Sequence, residues 1–269
     1  MSSLLPKVLL IGGLDPSGHA GIIADIRTAT ALGAFSSGVI TTLTNQTKNS
    51  FYTSDKVTPH IIKDQLYRQL EEDKFDSVKI GMLYSSDIIK IVSDILDKYR
   101  PSNIVLDPVL LSTTGGELLK KGAFRIFKES LLPQVDIVTP NVHEAELLTG
   151  IKITSEHDML EAGKNLINMS SNNVLIKGGH IKNNAVDILW TGGEYFRIEG
   201  NFIPESDFRG TGCVLSSAIA VFLAKGFKVR DAVEKAKLFL ENARKMPVYE
   251  QDNIPLLNLF HLKSNGLKI

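Results

Sequence analysis

Arg209-Gly210-Thr211-Gly212-Cys213, which opens the apolar run Val214–Leu223, has the residue types and order for phosphate chemistry. Two glycines let the backbone turn tightly, so the amides of Gly210 through Cys213 point outward where a helix starts. Unpaired amides and the positive end of a helix dipole together make an anion site. Phosphoryl transfer needs such a site, because charge gathers on the oxygens of the transferring group and must be met by groups already in place. The competing reading is a glycine turn that only starts a helix. Cys213 is the single cysteine and stands at that helix start. An isolated cysteine is usually a small buried hydrophobe. Here the helix terminus is expected to lower its pKa from about 8.5, while nearby phosphates push it the other way. A thiolate or hydrogen-bonded thiol in this place is suited to accept a hydroxyl proton.

Asn141-Val142-His143-Glu144 follows an apolar run and Pro140, where a helix should begin. Two readings stand side by side. Asn141 caps the helix and Glu144 completes a capping box, or the pair holds water around Mg²⁺ and phosphate. Asp107, before Pro108 at the end of another apolar run, offers a second acidic group to such a metal. Lys177 ends a further run and is placed to meet nucleotide phosphate as a point charge. The P-loop pattern, the G-x-G-x-x-G fingerprint, protein-kinase signatures and the paired histidines of zinc proteases are all missing from the sequence.

These residues share a position relative to the elements around them. Val8–Ile11, Gly38–Leu43, Ser77–Ile80, Asn103–Leu106, Val135–Val138 and Asn173–Ile176 are short, β-branched and bounded by turn residues. Stretches of helical period lie between most of them, at His60–Glu71, Asp87–Tyr99, Gly116–Leu131 and Asp158–Met169. Such alternation predicts an α/β fold with a mainly parallel sheet and helices on both faces. Ala185–Trp190 and Glu194–Ile198 flank Gly192-Gly193 as a late hairpin, and helices over Gly212–Lys225 and Val229–Arg244 close the pattern. With no Pro- or Ser-rich linker and no repeat, 1–269 reads as one domain. In open α/β sheets ligands sit beyond the carboxyl ends of the strands, and Asp107, Asn141 and Lys177 each stand just past a strand.

Bulk properties narrow the partner. Thirty basic and thirty acidic residues cancel, with 43% hydrophobic and 22% charged residues in 269. A neutral chain without a basic block is a poor nucleic-acid binder, so a small-molecule ligand is expected. One cysteine excludes an intrachain disulfide and suits a reducing compartment. Val8-Leu9-Leu10-Ile11 is too short for a secretion signal and no run is long enough for a membrane span; a cytoplasmic protein is expected.

In order along the chain, six segments resemble the hydroxymethylpyrimidine and phosphomethylpyrimidine kinases of thiamine biosynthesis, in the ribokinase-like superfamily. They are Asp15-Pro16-Ser17-Gly18 with Ala20-Gly21 and Ala24-Asp25; Val78 to Leu83; Leu106-Asp107-Pro108-Val109; Thr139-Pro140-Asn141 with Glu144; Lys177-Gly178-Gly179-His180; and Gly210-Thr211-Gly212-Cys213. The resemblance implies a ribokinase-like three-layer sandwich that uses ATP and Mg²⁺, commonly as a homodimer. It implies an aminopyrimidine pocket of Gly13, Asp25, Gln46 and Met82, with Asp25 accepting from the exocyclic amine. It further implies Mg²⁺ and phosphate ordering by Asp107, Asn141 and Glu144, and nucleotide contacts from Lys177 and Thr211. Cys213 would be the proton acceptor beside an anion hole of Gly210, Thr211 and Gly212. His19, Asn45-Gln46-Thr47 and Arg209 depart from the family's usual residues, and Arg209 would contact a substrate phosphate or face solvent. The rival readings are a pyridoxal or pyridoxine kinase of the same superfamily, favoured less by Gln46 and Met82, and a non-catalytic nucleotide- or pyrimidine-binding module.

Overall fold

The computed structural model describes residues 5–47, 50–110, 118–169, 173–179, 186–200, 208–249 and 255–261. The chain begins with β1 (Lys7–Leu14), α1 (Gly21–Ala31), β2 (Phe35–Gln46) and β3 (Phe51–Lys56). Then come α2 (Pro59–Glu72), β4 (Ser77–Ile80), α3 (Ser86–Tyr99) and β5 (Ile104–Leu106). A run of short helical turns between Lys121 and Gln134, including α4 (Phe124–Ile126), leads to β6 (Ile137–Val138). The rest comprises α5 (Val142–Thr149), α6 (Glu156–Met169), β7 (Asn173–Ile176), the hairpin β8 (Asp187–Thr191) and β9 (Glu194–Ile198), α7 (Thr211–Ala224) and α8 (Val229–Lys245). A small ribbon of β10 (Val248–Tyr249) and β11 (Pro255–Leu256) follows.

Nine strands form one sheet in the order β3-β2-β1-β4-β5-β6-β7-β8-β9. Pairing is parallel from β2 through β7 and antiparallel at β3, β8 and β9. Side chains alternate faces along each strand, and the apolar runs are apolar on both. Leu9, Ile11, Val78, Ile80, Leu106, Val138 and Ile176 therefore enter one core, with α2, α3, α5 and α6. Val8, Leu10, Val105, Ile137 and Leu175 enter a second core, with α1, α7 and α8. Two cores separated by a sheet make the three-layer sandwich expected from the alternation.

The expected strands and the hairpin are present, with shifted ends; Ala185 lies outside the described residues. The expected helix Gly116–Leu131 is corrected. Its first two positions lie outside the described residues, and from Lys121 the chain takes short 3₁₀, α and π turns instead. Gly122 and Pro133 bracket this stretch, and both disfavour a continuous α-helix. α1 and β3 were not anticipated. The polar edge strand β3, with Asp55 and Lys56 exposed, has the charge that blunts an unpaired sheet edge.

α6 packs on β8 through Gly163, where an added Cβ would overlap the indole of Trp190. Gly163→Ala is expected to cost about 1–3 kcal/mol by overpacking, read from urea unfolding followed by the fluorescence of Trp190, the only tryptophan. An unshifted midpoint would show that α6 and β8 have slack at this contact.

Candidate active site

The carboxyl ends of the parallel strands open on one edge of the sheet, and a cavity of about 420 Å³ lies there. Gly13 of β1, Gln46 of β2, Phe51 of β3 and Met82 after β4 line one side of it. Asp107 after β5, Asn141 and Glu144 at the start of α5, and Lys177 after β7 line the other. Gly210, Thr211, Gly212 and Cys213, where α7 begins, reach both sides. All twelve residues singled out from sequence thus line one cavity. Gly13, Phe51 and Met82 make the first side largely apolar around the Gln46 amide, and Asp107, Glu144 and Lys177 give the second its charges.

The loop has its glycines for reasons of space. Gly210 has φ +78°, and a Cβ there would overlap the carbonyl oxygen of His19. A Cβ on Gly212 would lie 3.3 Å from Lys177 Nζ and 3.4 Å from Asp107 Oδ2. The helix start is therefore pressed between the loop after β1 and the charged side. Asp15 orders the former, accepting from the Ser17 amide at 2.9 Å, the Ser17 hydroxyl at 2.6 Å and the Ala20 amide at 3.1 Å.

On the charged side, Lys177 Nζ donates to Asp107 Oδ1 at 3.0 Å. Burial works against the charge on Asp107, but Lys177 and Lys79 outweigh it and hold the carboxyl below its ordinary range. Burial likewise opposes the ammonium of Lys177, and Asp107 and Glu144 reverse that and raise its pKa. Asn141 and Glu144 form the capping box: Asn141 Oδ1 accepts from the Glu144 amide at 2.9 Å, and Glu144 Oε2 accepts from the Asn141 amide at 2.9 Å. The capping reading therefore holds for both. The Asn141 side-chain oxygen and one Glu144 carboxylate oxygen are engaged in the cap in the absence of ligand. Burial pushes the Glu144 carboxyl up to about 7, against the pull of Lys177.

For Cys213 the sequence sets a helix terminus that lowers the pKa against phosphates that raise it. In the folded chain burial pushes the thiol up to about 12, with Lys79 opposing and Asp25 and Asp107 adding to the rise. The ligand-free thiol is protonated at neutral pH. Asp25 lines the same cavity and already has partners. It is 0% exposed, with Oδ2 accepting from Lys79 Nζ at 2.8 Å and Oδ1 from the Ser217 hydroxyl at 2.8 Å. It forms part of a polar cluster under the cavity, and a ring amine would have to compete with both partners.

Lys79 itself was quoted in a motif but given no role. Its signal lay in the alternation of Ser77–Ile80: Val78 and Ile80 face one core, so Lys79 must face α1 and α7 on the other. Burial opposes its ammonium, but Asp25, Cys213 and Asp107 outweigh this and raise its pKa. A second pair was missed. Lys237 of α8 is ion-paired to Asp187 Oδ2, Asp187 Oδ1 accepts from the Gly178 amide at 2.9 Å, and both residues line the cavity. Arg209, which also lines the cavity, donates to Gln46 Oε1 at 2.9 Å and to the Thr47 carbonyl. His180 and the segment 111–117 lie outside the described residues.

Among the described residues no group of three or more His, Cys, Asp or Glu is arranged to hold a metal. Mg²⁺ commonly takes one or two carboxylates and completes its shell with water and substrate phosphate. Asp107 and Glu144 fit that sparse demand. Among the described residues, no helix is long and apolar enough to cross a membrane.

The sandwich, with its strand ends gathered on a helix-start anion loop, is the ribokinase-like α/β class. The model of the phosphomethylpyrimidine kinase family matches residues 15–255. A hydroxymethylpyrimidine/phosphomethylpyrimidine kinase of Aquifex aeolicus is 38% identical over 88% of this chain and 93% of its own. A thiamine biosynthesis bifunctional protein of Geobacter sulfurreducens is 40% identical over 88% of this chain and 49% of its own. The chain thus spans about half the length of such bifunctional relatives. Among solved structures, a phosphomethylpyrimidine kinase of Clostridium difficile aligns with a TM-score of 0.78 at 36% identity, covering 88% of this chain and 97% of that one. The ADP complex of Bacillus subtilis pyridoxal kinase aligns at 0.87 and 28% identity, covering 97% and 100%. The chain belongs to the phosphomethylpyrimidine kinase family.

Glu144 supplies a pH test. Its folded pKa of about 7 lies above the ordinary 4.5, so the folded chain holds an extra proton between those values and stability falls as pH rises through that window. In metal-free buffer, the melting temperature of Glu144→Gln should lose that part of the decline, since Gln at this position still completes a capping box. Parallel curves for parent and variant would show that Glu144 does not titrate there.

Proposed function

We propose that this chain transfers the γ-phosphoryl group of ATP to the hydroxymethyl oxygen of 4-amino-5-hydroxymethyl-2-methylpyrimidine, to the phosphate of its monophosphate, or to both. The observation that carries this reading is the placement of the anion loop between an apolar, amide-bearing pocket and a charged one. A ring held by Gly13, Gln46, Phe51 and Met82 would present its substituent to the loop from one side. Phosphates held by Lys177 would approach from the other, with Thr211 and the amides of Gly210, Gly212 and Cys213 meeting charge on the transferring group.

Asp107 and Glu144 would hold Mg²⁺, which when bound neutralises phosphate charge. Binding it requires Asp107 to be shared between Lys177 and the metal site, and Glu144 to lose its proton. Cys213 lies beside the loop, where the acceptor oxygen has to arrive. As a thiolate it would take the acceptor hydroxyl's proton while the oxygen–phosphorus bond forms and ADP leaves; burial, which pushes the thiol up to about 12, makes that thiolate scarce but strongly basic. Loose phosphoryl transfer tolerates this, because the acceptor oxygen becomes acidic as its bond to phosphorus forms.

The chain is read as a single kinase unit over 1–269 because no Pro- or Ser-rich linker or repeat divides it, as cytoplasmic on its composition, and as a homodimer on the family resemblance. The second reading is a pyridoxal kinase, favoured by the 0.87 TM-score with the Bacillus subtilis enzyme.

Coupled ATP turnover with Mg²⁺ on hydroxymethylpyrimidine, its monophosphate and pyridoxal separates the readings. Turnover of the pyrimidines supports the proposal, preference for pyridoxal replaces the acceptor, and tight pyrimidine binding without turnover leaves only a binding module. Cys213→Ala should lower kcat roughly a hundredfold or more with little change in ATP binding. Activity near the parent's would remove the base role from the thiol.

A further inference from the structure

Gln46 lines the apolar side of the cavity, and its side-chain oxygen is already engaged. Arg209 Nη2 donates to Gln46 Oε1 at 2.9 Å, and Nη1 donates to the carbonyl of Thr47 next to it. The orientation of the amide follows from chemistry. A guanidinium only donates, so the atom facing it must be oxygen, and the other end of the side chain is the amino group. Arg209 directly precedes Gly210, so the contact joins the end of β2 to the start of the anion loop across 163 residues of sequence.

We propose that Arg209 is a specificity-determining positioning residue: by holding Gln46 Oε1 it makes Gln46 a donor toward the bound ring, selecting a heterocycle that presents an acceptor nitrogen, and it ties that selection to the anion loop. This rests on the kinase reading above and adds the residue that sets the hydrogen-bond polarity of the acceptor pocket. Without the clasp, the Gln46 amide can rotate and offer either end, so the pocket would accept donor and acceptor edges alike. A neutral hydrogen bond contributes on the order of tenfold in affinity, and a pocket built to make it rejects a ligand that lacks the partner.

The test compares hydroxymethylpyrimidine with its two aminopyridine analogues, each having one ring nitrogen replaced by CH. The parent protein should lose about tenfold in kcat/KM on one analogue. Arg209→Met should shrink that ratio to about twofold or less, through the KM of the acceptor, with the KM of ATP nearly unchanged. Gln46→Glu keeps an oxygen for Arg209 and removes the donor, so it too should lose the discrimination while unfolding at the parent's temperature; it serves if Arg209→Met does not fold. Discrimination retained in either folded variant, or absent from the parent, overturns the role given to Arg209. A parent that turns over neither the pyrimidine nor pyridoxal overturns the kinase reading itself, which a change in ratio alone does not.

Discussion

The ammonium of Lys79, 1% exposed at the centre of the sheet, constrains how the site above it can be built. Taking a lysine and an aspartate out of water costs several kcal/mol for each ion, and only close geometry with further hydrogen bonds offsets it. Here the offset comes from Asp25 at 2.8 Å and from Ser217, which binds the other carboxylate oxygen at 2.8 Å. The three residues belong to β4, α1 and α7. Removing one partner of such a pair strands the other and costs about 3–5 kcal/mol, so neither helix can slide on the sheet without a large loss. Ser217 is one helical turn from Cys213 and on the same face of α7. The polar cluster therefore fixes how far α7 projects, and with it the position of the anion loop. A well-packed apolar trio of similar volume would fold at least as stably. What the ions add is an oriented dipole with no net charge, held beneath the anion loop.

The charges above this cluster are balanced in a way that suits an empty site. Asp107 and Lys177 satisfy each other, Lys237 is paired with Asp187, and Glu144 is bound to the first turn of its own helix. Each partner is thereby oriented before any ligand arrives, and preorganisation of this kind is the larger part of electrostatic catalysis. The cost falls on Glu144, whose carboxyl sits near its midpoint at neutral pH because desolvation exceeds what Lys177 returns.

Much of this was readable from residue types and order. The strands are short apolar runs closed by turn residues, and ligand sites in parallel sheets follow strand ends, so Gly13, Gln46, Asp107, Asn141 and Lys177 could be placed at one edge without coordinates. What local rules leave out is burial. A helix terminus acts on the Cys213 thiol by about 0.3–1 kcal/mol near an exposed surface. Full burial shifts a pKa by up to several units, more than the terminus supplies. The pairing of Asp25 with Lys79 is not legible locally, because the two are 54 residues apart. α1 was missed because its start follows a glycine-rich loop, and β3 because an edge strand carries polar residues that read as loop.

Which ring this family member takes is not a question the sandwich can answer. The backbone is as near to a pyridoxal kinase as to a phosphomethylpyrimidine kinase, as expected when one fold serves several acceptors and the difference is confined to the site. Both acceptors carry a hydroxymethyl group on a nitrogen heterocycle, so the anion loop and the charged side can treat them alike. The distinction has to come from the apolar side, where Gly13, Phe51 and Met82 give shape and Gln46 gives the hydrogen bond. Shape separates rings of similar size weakly, by about 1–3 kcal/mol per methylene. A hydrogen bond of fixed direction adds to this wherever the two rings place a nitrogen differently, and its direction here is set by Arg209. The residue that departs from the family pattern beside the anion loop is thus also the one that bears on the acceptor's identity.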